Sequence, residues 1–172
     1  MALAPGRLAL SPARYRAITI VALLALMAII VTGAAVRLTG SGMGCEDWPG
    51  CRSGQFIDVS SKHAAIEQIN RMITGAVSVA VIGAVLGSVL RVPRRRDLIV
   101  LSLGLVAGLV GQIVLGGITV LVHLHPASVQ GHMLLSLVIV AVAVVLVHRA
   151  GQPDDGELVR LVSPEIGRHL RV

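Results

Sequence analysis

Four apolar runs alternate with short polar stretches along the chain, and each is long enough to cross a bilayer. A helix needs about 20 mostly apolar residues to span the hydrocarbon layer. The runs are Ala17–Val36, Ala64–Leu90, Leu98–Val122 and Ser128–Val147. The pattern predicts an all-α, polytopic membrane four-helix bundle built from two helix hairpins. Its parts are a basic stretch (1–16), a four-helix region (17–149) with a long loop (37–63), and a tail (150–172) expected to be poorly ordered. The first run is longer than the core of a cleaved signal peptide, which holds about 7–15 apolar residues.

Composition narrows the class further. Of 172 residues, 55% are hydrophobic and 14% are charged. Soluble domains carry about 25% charged residues, so neither a water-soluble domain nor a disordered chain fits. The net charge of +6 gathers in short clusters between apolar runs, and Tyr15, Trp48 and Phe56 are the whole aromatic complement. That is a poor surface for nucleic acid, and none is expected as a partner. The bilayer is.

The arginines also orient the chain. Arg7, Arg14 and Arg16 precede the first run, and Arg91, Arg94, Arg95 and Arg96 separate the second from the third. Basic clusters favour the cytoplasmic side. Both termini and the Arg91–Arg96 loop then lie in the cytoplasm of a multi-pass cell-membrane protein. Loop 37–63 and the Val122–Ala127 turn lie outside.

Polar residues inside membrane helices are costly, and so are candidates for function. His63, Glu67, Asn70, Thr74 and Ser78 are spaced by three and four and share one helix face, flanked by Arg71. Glu67 and Arg71 could simply pair with each other. Ser128, His132 and Ser136 form a second stripe on the fourth run, at the same level from the outside. His123 and His125 in the outer turn are expected to be solvated, and His148 and His169 incidental. Gly83 with Gly87, and Gly104 with Gly108, allow close helix approach and could leave room for a flat ligand. Gln68-Ile69-Asn70 lines up with Gln130-Gly131-His132, a faint duplication that would set the two clusters opposite each other about a pseudo-twofold axis.

The only two cysteines, Cys45 and Cys51, lie in the outer loop, where disulfides are permitted. They could be a structural staple or a redox-active pair. Two sulfurs are too few ligands for structural zinc.

The stretch Thr32-Gly33-Ala34-Ala35-Val36-Arg37-Leu38-Thr39-Gly40-Ser41-Gly42-Met43-Gly44-Cys45, with Asp47-Trp48-Pro49 and Cys51, closely resembles the first helix end and outer loop of haem A synthase. Glu67-x-x-Asn70-Arg71 resembles that family's second-helix motif. Gly116-Gly117-Ile118-Thr119-Val120 and His132 resemble its third helix and fourth-helix ligand. The resemblance covers roughly residues 15–150.

It implies an oxidoreductase that converts haem O to haem A, a porphyrin methyl becoming a formyl, for cytochrome oxidase assembly. Haem would lie between the second and fourth helices. Glu67 would be the catalytic carboxylate and His132 an iron ligand, and Cys45–Cys51 would form a disulfide. Arg37 and Arg71 would meet the propionates. Three departures accompany it. Asn70 stands where the family commonly has a histidine ligand, which leaves His63, on the same face, as a candidate for the iron. Glu46 replaces a usual proline. Typical members have eight helices, the second half binding haem B, and the four runs here correspond to the first half. No haem B site is therefore expected. The alternatives are a non-catalytic haem-binding half and a structural membrane subunit. Candidate partners are a second copy, a second half, a haem O synthase and oxidase assembly factors.

Overall fold

The computed structural model describes residues 9–52 and 55–154. Four helices occupy the four apolar runs: α1 (Pro12–Leu38), α2 (Lys62–Leu90), α3 (Arg96–Leu121) and α4 (Pro126–Ala150). Each is long and apolar enough to cross a membrane. Among the described residues there is no strand, only isolated backbone bridges. The expected tail falls mostly outside the described residues, and His169 with it.

The helices outrun their apolar cores because the flanking residues cap them. The Ser11 and Ser61 hydroxyls accept the N–H groups of Arg14 and Ala64, satisfying donors that a helix start leaves open. Pro12 and Pro126 sit in the first turns, where a missing N–H costs nothing. So α1 begins at Pro12 rather than Ala17 and takes in Arg14 and Arg16. At its far end Gly40 adopts a left-handed φ of 66°, and the Ser41 N–H reaches back to the Val36 carbonyl. A glycine supplies that conformation without a Cβ clash.

Each helix packs against its two antiparallel neighbours: α1 on α2 and α4, and α3 on α2 and α4. The helices α2 and α4 stand diagonally across the bundle. Outward faces stay apolar, with Val31 and Val79 69% and 71% exposed. Surface of that kind, repeated on all four helices, suits lipid rather than water.

The apolar core is one-sided. It is made by Tyr15 and Leu26 of α1, Val77 and Val81 of α2, Leu98 and Leu105 of α3, and Ile139 and Leu146 of α4, with their neighbours. These run from about mid-span to the end that carries the Arg91–Arg96 loop and the chain ends, called here the terminal end. In the opposite half, the loop end, α4 has no buried residue before Ile139. The glycine pairs belong to the solid half. A methyl at Gly87 would come within 3.0 Å of the Tyr15 ring, and one at Gly108 within 2.7 Å of Ile139. The glycines thus serve helix contact, and Tyr15 and Ile139 fill the room the sequence suggested for a flat ligand.

Polar bonds close the terminal end. Tyr15 Oη and Ser102 Oγ are 3.0 Å apart. Arg91, fully buried, donates to Asp154 at 2.6 Å. The Leu10 backbone pairs with that of Leu90 and Val92, tying the chain start to the α2–α3 loop.

Candidate functional site

At the loop end, the segment after α1 folds down onto α2. The cap at Gly40 turns the chain so that Ser41 Oγ lies 3.0 Å from His63 Nδ1. Gly44 then lies against the start of α2, where a Cβ would come within 2.4 Å of the His63 carbonyl oxygen. No side chain fits that approach. Next in sequence, the Cys45 N–H donates to Glu67 Oε2 at 2.9 Å.

Cys45 and Cys51 are joined in a disulfide and are both fully buried. The ring they close turns its carbonyls toward Arg71. That guanidinium donates to the Gly50 carbonyl at 2.7 Å and more weakly to those of Asp47 and Pro49. It also donates to Glu67 Oε1 at 2.8 Å from one terminal nitrogen and at 3.2 Å from Nε. Glu67, 6% exposed, thus has both oxygens engaged, one by the loop backbone and one by Arg71. A buried carboxylate stays in place only when paired and hydrogen-bonded in this way.

The same loop reaches across the bundle. The Trp48 indole rests on α3 at Gly117, where a Cβ would lie 2.6 Å from the ring. Gly42 meets Leu124 of the α3–α4 turn. Farther along, Arg52 pairs with Asp58 at 3.4 Å. The hydroxyl and backbone N–H of Ser60 hold the Asp58 carboxyl below its ordinary pKa.

The α2 stripe does not meet the α4 stripe through any hydrogen bond among the described residues. Asn70 Oδ1 accepts from Thr32 Oγ1 of α1 at 2.9 Å. Thr74 and Ser78 bond back to carbonyls of their own helix. On α4 the half-buried His132 turns toward α3, its Cε1 3.2 Å from where a Cβ on Gly116 would stand. Its Nδ1 is buried without a hydrogen-bond partner among the described residues. Gln112 of α3 donates to the His132 carbonyl at 3.0 Å and also to Ser136 Oγ.

Sequence reasoning passed over Gln112, although it is a lone amide in an apolar span. It also passed over Thr32 and Ser41, whose partners lie on other elements. Arg37 is exposed, and its side chain makes no hydrogen bond among the described residues. His125 caps α4, its Nδ1 accepting the Ala127 N–H. Gln68 is buried with Oε1 unpartnered while Gln130 is exposed, so the faint duplication does not extend to their surroundings.

Residues 16–65 and 52–169 match the cytochrome oxidase assembly protein family (COX15-CtaA). The chain belongs to this family. No curated protein and no solved structure matches it. Family membership carries a role in cytochrome oxidase assembly and haem A synthesis, and with it haem binding.

The residues fit such a group. Porphyrin iron asks of the protein only axial ligands, and His132 has an imidazole with no competing bond. His63 has its Nδ1 held by Ser41, which fixes the ring and leaves Nε2 available, the usual arrangement behind a metal-ligating histidine. Among the described residues no three His, Cys, Asp or Glu side chains gather as a site for a bare metal ion.

Proposed function

We propose that this chain is a haem A synthase-type membrane oxidoreductase. It takes haem O as substrate and oxidises one porphyrin methyl to a formyl. The observation that carries the reading is His132. Its imidazole is half-buried with an unpartnered nitrogen, in the loop-end half where the apolar core has stopped. An unsatisfied imidazole at membrane depth is costly unless something takes it up.

Within this reading His132 binds the iron, and His63 is the candidate for the second axial place. Asn70 is a carboxamide, a poor iron ligand beside imidazole, and its carbonyl oxygen is turned to Thr32. The bound haem would supply the redox chemistry. Glu67 holds or moves a proton beside the reacting methyl through Oε2, which keeps a lone pair beyond the Cys45 N–H, while Oε1 already accepts twice from Arg71. Arg71 positions Glu67 and clamps the loop. With its donors so engaged, Arg37 is the first choice for the propionates. The apolar farnesyl tail lies against helix surface or lipid. Water supplies the formyl oxygen, the electrons leave to an acceptor outside this chain, and the protons released pass to solvent. By the arginine distribution the terminal end faces the cytoplasm and the disulfide loop lies outside.

Pyridine haemochrome spectra of the detergent-purified protein loaded with haem O test this. Wild type should retain haem and, given an electron acceptor, yield the haem A spectrum. Glu67→Gln should retain haem and yield none, and His132→Ala should lose haem. Wild type without a Soret band, or His132→Ala loading like wild type, ends the reading.

A second reading, a haem-holding half that works only with a partner half, draws on Asn70 being engaged at the family's histidine position. Haem A formed in a host expressing this chain alone counts against it.

A further inference from the structure

A groove of about 480 Å³ runs between α1 and α4 at the terminal end, away from the site above. Its walls are of two kinds. Leu23, Val144 and Val147 make an apolar side, and Arg16, His148 and Gln152 a polar rim. Arg16 is exposed, and it forms no ion pair among the described residues. Its guanidinium is held over Gly151, where a Cβ would come within 3.0 Å of Nε. The side chains of Gln152 and His148 are hydrogen-bonded, Nε2 to Nε2 at 3.0 Å, and Gln152 Oε1 is buried without a partner among the described residues.

The groove sits where the spans end, along the second to fourth turns of α1 and the last two turns of α4. Its apolar side runs on into outward-facing Leu24 and Val144, 58% and 50% exposed. A ligand matching all of this has an anionic group for Arg16, a hydroxyl to donate to Gln152 Oε1, and a hydrocarbon chain for the apolar wall. Basic pockets between membrane helices on the cytoplasmic side take anionic lipid headgroups.

We propose that this groove seats one anionic phospholipid of the phosphatidylglycerol type. The phosphate meets Arg16 beside His148, and a headgroup hydroxyl meets Gln152. One acyl chain lies along Leu23, Val144 and Val147. The site is independent of the haem chemistry.

Native mass spectrometry of the full chain, released from micelles holding equal phosphatidylglycerol and phosphatidylcholine, tests it. Wild type should retain one phosphatidylglycerol in preference to phosphatidylcholine. Arg16→Ala should lower retention roughly fivefold, the scale of one arginine at a charged surface. Arg94→Ala removes the same charge on the α2–α3 loop and should change nothing. Val144→Trp fills the apolar side without altering charge and should also lower retention, which keeps the test decisive should Arg16→Ala not fold. Equal retention of the two lipids overturns the proposal. So does equal loss in Arg94→Ala, unchanged retention in Val144→Trp, or displacement by inorganic phosphate, which would mark a site for free anions.

Discussion

Glu67 Oε2 accepts the backbone N–H of Cys45 at 2.9 Å. The carboxylate proposed for proton transfer is thereby joined to the disulfide ring that roofs the bundle. Arg71 completes the unit by donating both to Glu67 and to the ring carbonyls. Loop position and carboxylate orientation therefore change together.

Substitutions at Glu67 should separate these roles. Glu67→Ala leaves the Cys45 N–H without its acceptor and Arg71 without its counter-charge. A loss of about 3 kcal/mol is expected, the scale for breaking a buried pair by removing one partner. Glu67→Gln keeps an acceptor for Cys45 but turns an amide NH2 toward the Arg71 donors and removes their counter-charge, so it should cost about 2 kcal/mol, the scale of a hydrogen bond to a charged group. Thermal unfolding in detergent, followed by helical circular dichroism, measures both.

The loop's close contacts predict a coupling. Gly117→Ala places a methyl 2.6 Å from the Trp48 indole, so the ring must move. A cost of about 1–3 kcal/mol is expected for such overpacking. In a Trp48→Ala background the same change should cost little, because the clashing ring is gone. Melting of the two single variants and the double variant gives the coupling. Equal costs in both backgrounds would refute the contact. Gly44→Ala should be worse than Gly117→Ala, since it meets backbone that cannot swing aside.

Gln112→Leu removes the donor to the His132 carbonyl and to Ser136 Oγ. A loss of about 1–2 kcal/mol is expected. In haem-loaded protein the Soret band of this variant should also shift, because the turn of α4 that carries His132 is no longer held to α3. Absorbance spectra of the loaded variant check this second effect.

The Asp58 carboxyl is held below its ordinary value by the Ser60 hydroxyl and N–H, with desolvation opposing and Arg52 assisting. A carboxyl lowered on folding stabilises the fold above its unfolded pKa, about 4. That contribution is lost as pH falls through the lower, folded value. Protease cleavage of the Arg52–Ser60 segment should therefore rise as pH drops below about 4, and Asp58→Asn should flatten the dependence. An acid-tolerant protease such as pepsin reads it out.

Much of this protein was legible from its residues one run at a time. The four spans follow from the length of the apolar runs, because in lipid a backbone must satisfy its own hydrogen bonds and a helix does so within one segment. The Glu67–Arg71 pair follows from a spacing of four. His132 and Glu67 stood out because polar groups are expensive at membrane depth.

What each polar residue touches could not be read that way. Periodicity gives the face of a helix, not the rotation of one helix against another or the path of a loop above them. Only the packing sets α2 and α4 on the diagonal, gives Asn70 to Thr32, turns His132 onto Gly116 beside Gln112, and brings Cys45 down onto Glu67. Those contacts join residues far apart in sequence, and they form because Gly44, Gly116 and Gly117 leave room for a backbone or a ring to come close.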